Sequence, residues 1–513
     1  MTQGPLEIEP ETFDLLVVGG GINGAGAARD AAGRGLRALL VEKDDLAEGT
    51  SSRSGKYIHG GLRYLEQCEF GLVRKALIER EVILAAAPHL AWPLRLVLIH
   101  SPEQRPRWLI RLGLALYDRL GGRKRIPATA AVNLETEPEG EPVAPEFRRG
   151  FAYWDVWVDD SRLVILNAVD AARRGASVRT RTEMTSAWRE NGIWRAALRD
   201  RRRGSTHVVG AKAIFNAAGP WVESVLGSVK DARTERRMRL VKGSHVILRR
   251  WWEGAHGYVL QSTDRRILFV NPYRDNLALV GTTDVPYEGR PEDAECDEEE
   301  VRYLVAQLNR YFRRSFAPGD VLWSYAGVRP LFDDGTGKSA SAVTRDYMFD
   351  LGPARPDGRT APLLSAFGGK LTTYRKLAEE GLERLRPFLP GMGPKWTKTA
   401  PLPGGDLPGA DFGGWQAGLR KRHPECDDAL LTHYARCYGA DAERLLEGVR
   451  STADLGRHFG GRLYQREVEH LRRDEWAVTA EDIVERRTKH CLELSERERE
   501  VLERWLADNE ADA

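Results

Sequence analysis

A short β-favouring run, Asp14-Leu15-Leu16-Val17-Val18, leads directly into Gly19-Gly20-Gly21-Ile22-Asn23-Gly24, and no other stretch restricts the fold so tightly. In a G-x-G-x-x-G turn the first glycine, Gly19, permits the sharp reversal. Gly21 lets the backbone approach a pyrophosphate, and Gly24 lets the next helix pack closely on the strand. Residues 25–32 are rich in alanine, Gly33 and Gly35 mark a helix end, and Arg37-Ala38-Leu39-Leu40-Val41 is a second β run closing on Glu42. This is a βαβ unit with parallel strands. A dinucleotide suits it: the helix N-terminus offers free N–H groups and partial positive charge to phosphates. Glu42 can accept from both hydroxyls of an adenosine ribose, and its charge repels a 2′-phosphate, which disfavours NADP.

The βαβ unit does not separate NAD from FAD, but two later segments favour FAD. Residues 212–220, Lys-Ala-Ile-Phe-Asn-Ala-Ala-Gly-Pro, form a β run ending in small residues (Ala218, Gly219) that admit a second part of a long ligand. Residues 364–373 make another strand-to-helix transition through Gly368-Gly369-Lys370-Leu371-Thr372. There a helix N-terminus and Lys370 can stabilise negative charge on a reduced flavin. Either segment alone reads as an ordinary packing turn.

The chain has 513 residues, more than one hydrophobic core usually serves, so two or three domains are expected. Between about 150 and 330 the pattern changes to antiparallel sheet with helices on one face. It carries the hairpin signal Asn191-Gly192 and an amphipathic helix with Val301, Leu304, Leu308 and Phe312 at helical spacing. From Pro387 to Gly414 proline and glycine accumulate, and beyond lies a helical region in which Thr479-Ala480-Glu481-Asp482 reads as a capping-box variant. The fold class is α/β with an α+β insert. The expected division is a nucleotide-binding domain with an inserted antiparallel sheet, then a helical domain past the proline- and glycine-rich boundary. The 77 basic and 75 acidic side chains leave no field to attract nucleic acid. Five scattered cysteines without a C-x-x-C argue against a disulfide framework or metal site and fit a reducing cytoplasm. No secretory leader and no spanning apolar run is evident.

Gly19–Gly26, Thr50-Ser51-Ser52 and Ile58-His59-Gly60-Gly61-Leu62-Arg63-Tyr64-Leu65 closely resemble the FAD-dependent, aerobic glycerol-3-phosphate dehydrogenase family. So do Lys242-Gly243-Ser244-His245, Gly281-Thr282-Thr283-Asp284, Gly327-Val328-Arg329-Pro330-Leu331, Thr344-Arg345-Asp346-Tyr347 and residues 368–376. One departure is Arg53-Ser54-Gly55-Lys56, where the family usually has a second serine before the lysine. The resemblance implies a glutathione-reductase-like FAD-binding domain over 1–390, with an inserted substrate cap in segments at roughly 70–160 and 235–335, and a helical C-terminal domain over 391–513. It also implies oxidation of sn-glycerol 3-phosphate to dihydroxyacetone phosphate by hydride transfer from C2 to flavin N5, with electrons passed to membrane quinone. The expected cofactor contacts are Gly19, Gly21, Asn23, Gly24, Glu42, Thr50, Ser51, Ser52, Ala218, Gly219, Gly369, Lys370, Leu371 and Thr372.

The substrate's phosphate dianion calls for arginine, whose planar fork makes paired charge-assisted hydrogen bonds. The resemblance puts Arg63 and Arg345 in that role, with Tyr64 and Lys370 as further donors. The alkoxide that develops at C2 needs a fixed positive group, for which Arg329 is chosen. The hydroxyl proton needs a base, and His245 and His59 both stand as candidates.

Residues 105–120, apolar with Trp108 and Leu112 among arginines, read either as a helix lying in a bilayer interface or as one buried on the cap sheet. With the family's quinone acceptor, the expected location is cytoplasmic, peripherally attached to the inner face of the cell membrane. Dimerisation is one expectation for the C-terminal domain. Three alternatives stay open: a glycerol-3-phosphate oxidase that reduces O₂, a flavin amine or amino-acid oxidase, and a non-catalytic flavin module.

Overall fold

The computed structural model describes residues 10–67, 69–122, 125–264, 266–333, 346–354 and 360–509, the side chains of residues 63, 66 and 67 apart. Strand Thr12–Val18 feeds helix Ile22–Gly33, which returns to strand Ala38–Val41, and the two strands run parallel with Val18 beside Val41. Strand Thr206–Asn216 lies parallel on the other side of the first, and Leu363–Phe367 lies parallel beyond it. Their carboxyl ends fall level, Val18 opposite Asn216 and Asn216 opposite Ser365. Ligands of open α/β sheets collect at that edge. Every residue of Ala38–Val41 and Leu363–Phe367 is buried, as strands covered on both faces require. Helix Ile22–Gly33 packs against helices Asp160–Arg173 and Tyr374–Leu385. The small residues make this possible: a Cβ on Gly26 would come 2.7 Å from the Tyr374 ring.

The Asn191-Gly192 turn joins strands Thr182–Glu190 and Ile193–Asp200, with both residues at positive φ as a tight hairpin demands. The hairpin does not belong to the middle antiparallel sheet that its place in the sequence suggests. Ile193–Asp200 instead pairs antiparallel with Thr206–Asn216, so the hairpin extends the nucleotide sheet. Turn chemistry fixes a hairpin but does not name the sheet that receives it.

Among the described residues the second sheet has ten strands drawn from 57–158 and 237–333, and strand Arg237–Arg249 pairs from Arg237 to Ile247 with Trp323–Asp333. Helix Glu298–Tyr311 covers one face with Leu304 and Leu308 buried, and it opens on a complete capping box between Asp297 and Glu300. Such a cap contributes about 1 kcal/mol. Past residue 411 come helices Phe412–Arg422, Asp428–Tyr438, Gln465–Glu475 and Glu496–Asp508 around their own apolar cluster. The box at 479–482 is reciprocal, Asp482 N–H donating to Thr479 Oγ1 at 3.1 Å and Thr479 N–H to Asp482 Oδ2 at 3.0 Å. It opens a π-helix, Asp482–Arg487.

Candidate active site

A cavity of about 780 Å³ follows the carboxyl ends of the parallel strands, from Val41–Glu42 past Gly19–Gly21 and Ala217–Gly219 to Gly368–Thr372, where the cap sheet closes over it. Gly19 takes φ 108°, and a Cβ there would lie 2.8 Å from Ala217 O. The small residues of the second segment are thus what the first turn packs against. A Cβ on Gly24 would fall 1.8 Å from Gly19 O, so this glycine serves helix–strand packing beneath the cleft, not its wall. Gly21 faces open space apart from Ser51 Oγ at 3.1 Å, and its helix has no side-chain cap and no acid in the first turn. That leaves N–H groups available to phosphate.

Glu42 is held from two sides, Gly20 N–H donating to Oε2 at 2.6 Å and Asp44 N–H to Oε1 at 2.9 Å. Burial pushes its carboxyl up to about 7, with Asp44 and Glu48 adding to the rise and the two N–H groups opposing it. Ser51 Oγ accepts from Ile22 N–H at 3.0 Å, and Thr50 Oγ1 donates to Val328 O at 2.5 Å, tying the nucleotide loop to the cap. Ser52 does not line the cleft. Its carbonyl accepts from Lys56 Nζ, which turns the residue back into the loop. Asn23 Nδ2 donates to Gly368 O at 3.4 Å, joining the two glycine turns, while its Oδ1 has no hydrogen-bond partner among the described residues. Gly368 and Gly369 have φ of 77° and 99°, conformations that exclude most side chains. Leu371 and Thr372 follow on the cleft wall, and the Thr372 hydroxyl bridges the backbone of His59.

At this end the cap contributes His245 and Arg329. His245 is buried and stacks on Tyr325, with centroids 4.9 Å apart. A Cβ on Gly281 would come 2.1 Å from its ring, so a glycine on the paired strand is what admits the imidazole. Burial drives the ring's pKa down to about 3, helped by Arg329 and Lys56, so it stays neutral, and its Nδ1 has no hydrogen-bond partner among the described residues. Arg329 pairs with Asp284 and donates to Thr282 Oγ1 at 2.8 Å. Lys370 Nζ lies 3.9 Å from the centroid of the Tyr64 ring, and His59 and Tyr64 line the same wall. The side chain of Arg63 and the whole of Arg345 lie outside the described residues.

Several cleft residues carry no signal strong enough to find in sequence. Thr182–Thr185 reach the Glu42 end because Thr182 N–H donates to Glu42 O at 2.7 Å. Tyr57, Phe269 and Leu279 form an apolar wall from three different strands, with Asn271 between them. Only Asn271, a polar residue inside a β run, could have been suspected. Beneath the departure at Arg53–Lys56 lies a buried ion pair, Lys56 Nζ to Asp160 Oδ2 at 2.7 Å.

These residues fit FAD. The glycines leave room where the backbone must meet a pyrophosphate, the cleft spans both ends of a long ligand, and a basic group stands at the second helix start. Residues 14–375 match the family described as FAD dependent oxidoreductase, and residues 395–507 match the C-terminal domain of alpha-glycerophosphate oxidase. The chain is 55% identical to a D-erythritol 1-phosphate dehydrogenase of Brucella abortus over 97% of its length and 98% of the relative's. It is 49% identical to a glycerol-3-phosphate dehydrogenase of Pseudomonas aeruginosa, covering 97% of this chain and 95% of that one. Among solved structures, the glycerol-3-phosphate dehydrogenase of Bacillus halodurans complexed with FAD matches with a TM-score of 0.76 at 26% identity, over 98% of this chain and 91% of its own. Glycine turns, level strand ends and a cap bearing His245 and Arg329 thus coincide with full-length likeness, and the chain belongs to the FAD dependent oxidoreductase family, in its glycerol-3-phosphate dehydrogenase group.

Proposed function

We propose that this chain oxidises sn-glycerol 3-phosphate at C2 to dihydroxyacetone phosphate, with FAD as the immediate acceptor and membrane quinone as the next. The observation that carries it is that His59, Tyr64, His245, Arg329 and Lys370 all line the cavity that holds the Gly368–Thr372 turn. When bound, FAD supplies a two-electron acceptor for the C2 hydrogen. The rest is the work of side chains. Lys370 and Tyr64, with Arg63 and Arg345, hold the phosphate. Arg329, its orientation set by Asp284 and Thr282, stabilises negative charge developing on the C2 oxygen. His245 and His59 are the two candidates to take the hydroxyl proton; the burial that holds the His245 ring near 3 weakens it as a base.

A second reading has the 55% identical Brucella abortus relative in its favour: D-erythritol 1-phosphate as substrate. Both compounds carry a phosphorylated terminal carbon next to a secondary alcohol, so the same residues serve either. Anaerobic addition of each to the yellow holoenzyme, with flavin bleaching followed in time, ranks the two. Failure of both to bleach the flavin sinks both. A peroxide assay in air separates quinone-linked turnover from oxidase activity.

Membrane attachment is proposed through helix Arg107–Leu120. Leu114 and Tyr117 are buried against the cap, while Trp108, Leu112 and Leu116, spaced four apart, form an outward apolar ridge with Trp108 68% and Leu112 60% exposed. Arginines at 105, 107, 111 and 119 flank it, the arrangement an interfacial helix needs at an anionic inner leaflet. No helix among the described residues is long and apolar enough to cross a membrane.

A further inference from the structure

The C-terminal domain reaches the loop that follows Glu42, and it does so with buried charge. Asp45 is fully buried. Arg487 clasps both of its oxygens, Nη1 to Oδ2 at 2.5 Å and Nη2 to Oδ1 at 2.8 Å, and Arg486 Nε donates to Oδ2 at 2.7 Å. The remaining donors are also engaged. Arg487 Nε and Nη2 reach Glu475 O at 3.2 and 2.7 Å, and Arg486 Nη2 reaches Asp482 Oδ1 at 2.6 Å. Asp482 is held in turn by Arg181 Nη2 at 2.8 and 2.9 Å. Two consecutive arginines serve one carboxylate at the end of the π-helix Asp482–Arg487, and the chain then turns through Lys489 at φ 60°. Lys489 Nζ stands 3.7 Å from Asp160 Oδ1, and Asp160 also accepts from the Ser54 hydroxyl at 2.7 Å and from Lys56.

One stretch of the C-terminal domain thus reaches both ends of a single loop, directly at Asp45 and, at Ser54 and Lys56, through Asp160 of the helix Asp160–Arg173. What lies between is cleft wall: Glu48–Ser51 and Arg53–Gly55 line the cavity, and Ser51 and Thr50 brace the glycine turn and the cap. The loop contains only one short 3-10 turn, Thr50–Ser52, so its shape is not set by its own secondary structure. A bidentate charge pair fixes orientation as well as distance. Losing one member of a buried pair leaves an uncompensated charge, so separating the loop from the C-terminal domain is costly.

We propose that Arg487 and Arg486 are positioning residues for the dinucleotide site: the C-terminal domain clamps the 44–56 loop in its ligand-binding shape, and its docking and the retention of FAD are one coupled equilibrium. The proposal rests on the FAD reading above. The test compares wild-type holoenzyme with Arg487→Lys and Arg487→Gln by the fluorescence rise on FAD release and by hydrogen exchange of peptides covering 44–56 and 323–333. In Arg487→Gln the FAD dissociation constant rises about tenfold and exchange quickens in 44–56 alone, while KM for the phosphorylated polyol at saturating FAD stays within about twofold. Arg487→Lys recovers part of the affinity, since an ammonium keeps one ion pair but not the fork. Unchanged FAD affinity in both variants overturns the proposal, and so does loss of protection spread evenly over both peptides. If Arg487→Gln does not fold, Arg487→Lys and Lys489→Gln give the same two readouts. A wild-type chain that takes up no FAD defeats the functional reading instead, so the two failures are distinguishable.

Discussion

Arg329 and Asp284 form an ion pair on the cleft wall, and the other end of the guanidinium donates to Thr282 Oγ1 at 2.8 Å. The arginine is therefore aimed before substrate arrives. Its partner lies three residues beyond Gly281, the end of strand Leu277–Gly281 and the glycine that makes room for the His245 ring. A preset cation costs no reorganisation as charge develops, which is the condition for electrostatic catalysis.

Arg329→Lys is expected to slow flavin reduction by roughly 10²-fold, the scale of removing one preset donor, with a much smaller rise in KM. Anaerobic stopped-flow measures both. Equal losses in rate and binding would place Arg329 in substrate binding alone.

His245 is neutral over the working range because burial and the cations Arg329 and Lys56 disfavour its charged form. The kcat/KM profile of the wild type should therefore show no acid limb near pH 6.5 that disappears in His245→Gln. Flavin reduction in that variant should fall by about 10²-fold or more. A larger loss in His59→Gln than in His245→Gln transfers the base role to His59.

Glu42, with its pKa pushed up to about 7, is largely protonated at pH 6 in the cofactor-free chain. Ribose hydroxyls bonding to the carboxylate favour its charged form, so FAD binding at pH 6 should release a proton. Calorimetry in buffers of different ionisation enthalpy reads that release directly. Glu42→Gln removes it and weakens FAD; release that persists in Glu42→Gln excludes Glu42 as the source.

Acid should destabilise the fold through buried neutral histidines. His89 and His245 are held down at about 3 and His256 at about 4, all chiefly by burial. The unfolded chain takes up these protons below about 6.5, so stability falls as pH drops from there towards 4, by about 1.4 kcal/mol per pH unit for each group. His433 and His470 have raised pKa values, and their contribution is complete below 6.5 and lost only as pH rises through the folded values. His89 has no hydrogen bond to either ring nitrogen among the described residues. His89→Leu should therefore flatten the acid slope by one proton, as followed by urea unfolding between pH 4 and 6.5; an unchanged slope removes His89 from the account.

Trp108→Glu and Leu112→Glu together should abolish flotation with anionic liposomes while leaving flavin reduction intact, since neither side chain touches the cleft. Mutants that still float would exclude this helix as the anchor.

Short-range chemistry made much of the chain legible in advance. The Gly19–Gly24 turn, the Asn191-Gly192 hairpin, the helix with Leu304 and Leu308, and the Thr479–Asp482 box each follow from residues a few positions apart, because positive φ, side-chain caps and apolar periodicity are local conditions. Glu42 and Gly369 were legible for the same reason, at the ends of recognisable strands. Tertiary closure decided the rest. It delivered the hairpin to the nucleotide sheet, stacked His245 on Tyr325 across a strand pair, set Asp284 against Arg329, and brought Arg487 to Asp45 over more than four hundred residues. No local signal marks those pairs, since what joins them is the burial of charge and rings that comes only when distant strands and domains have packed.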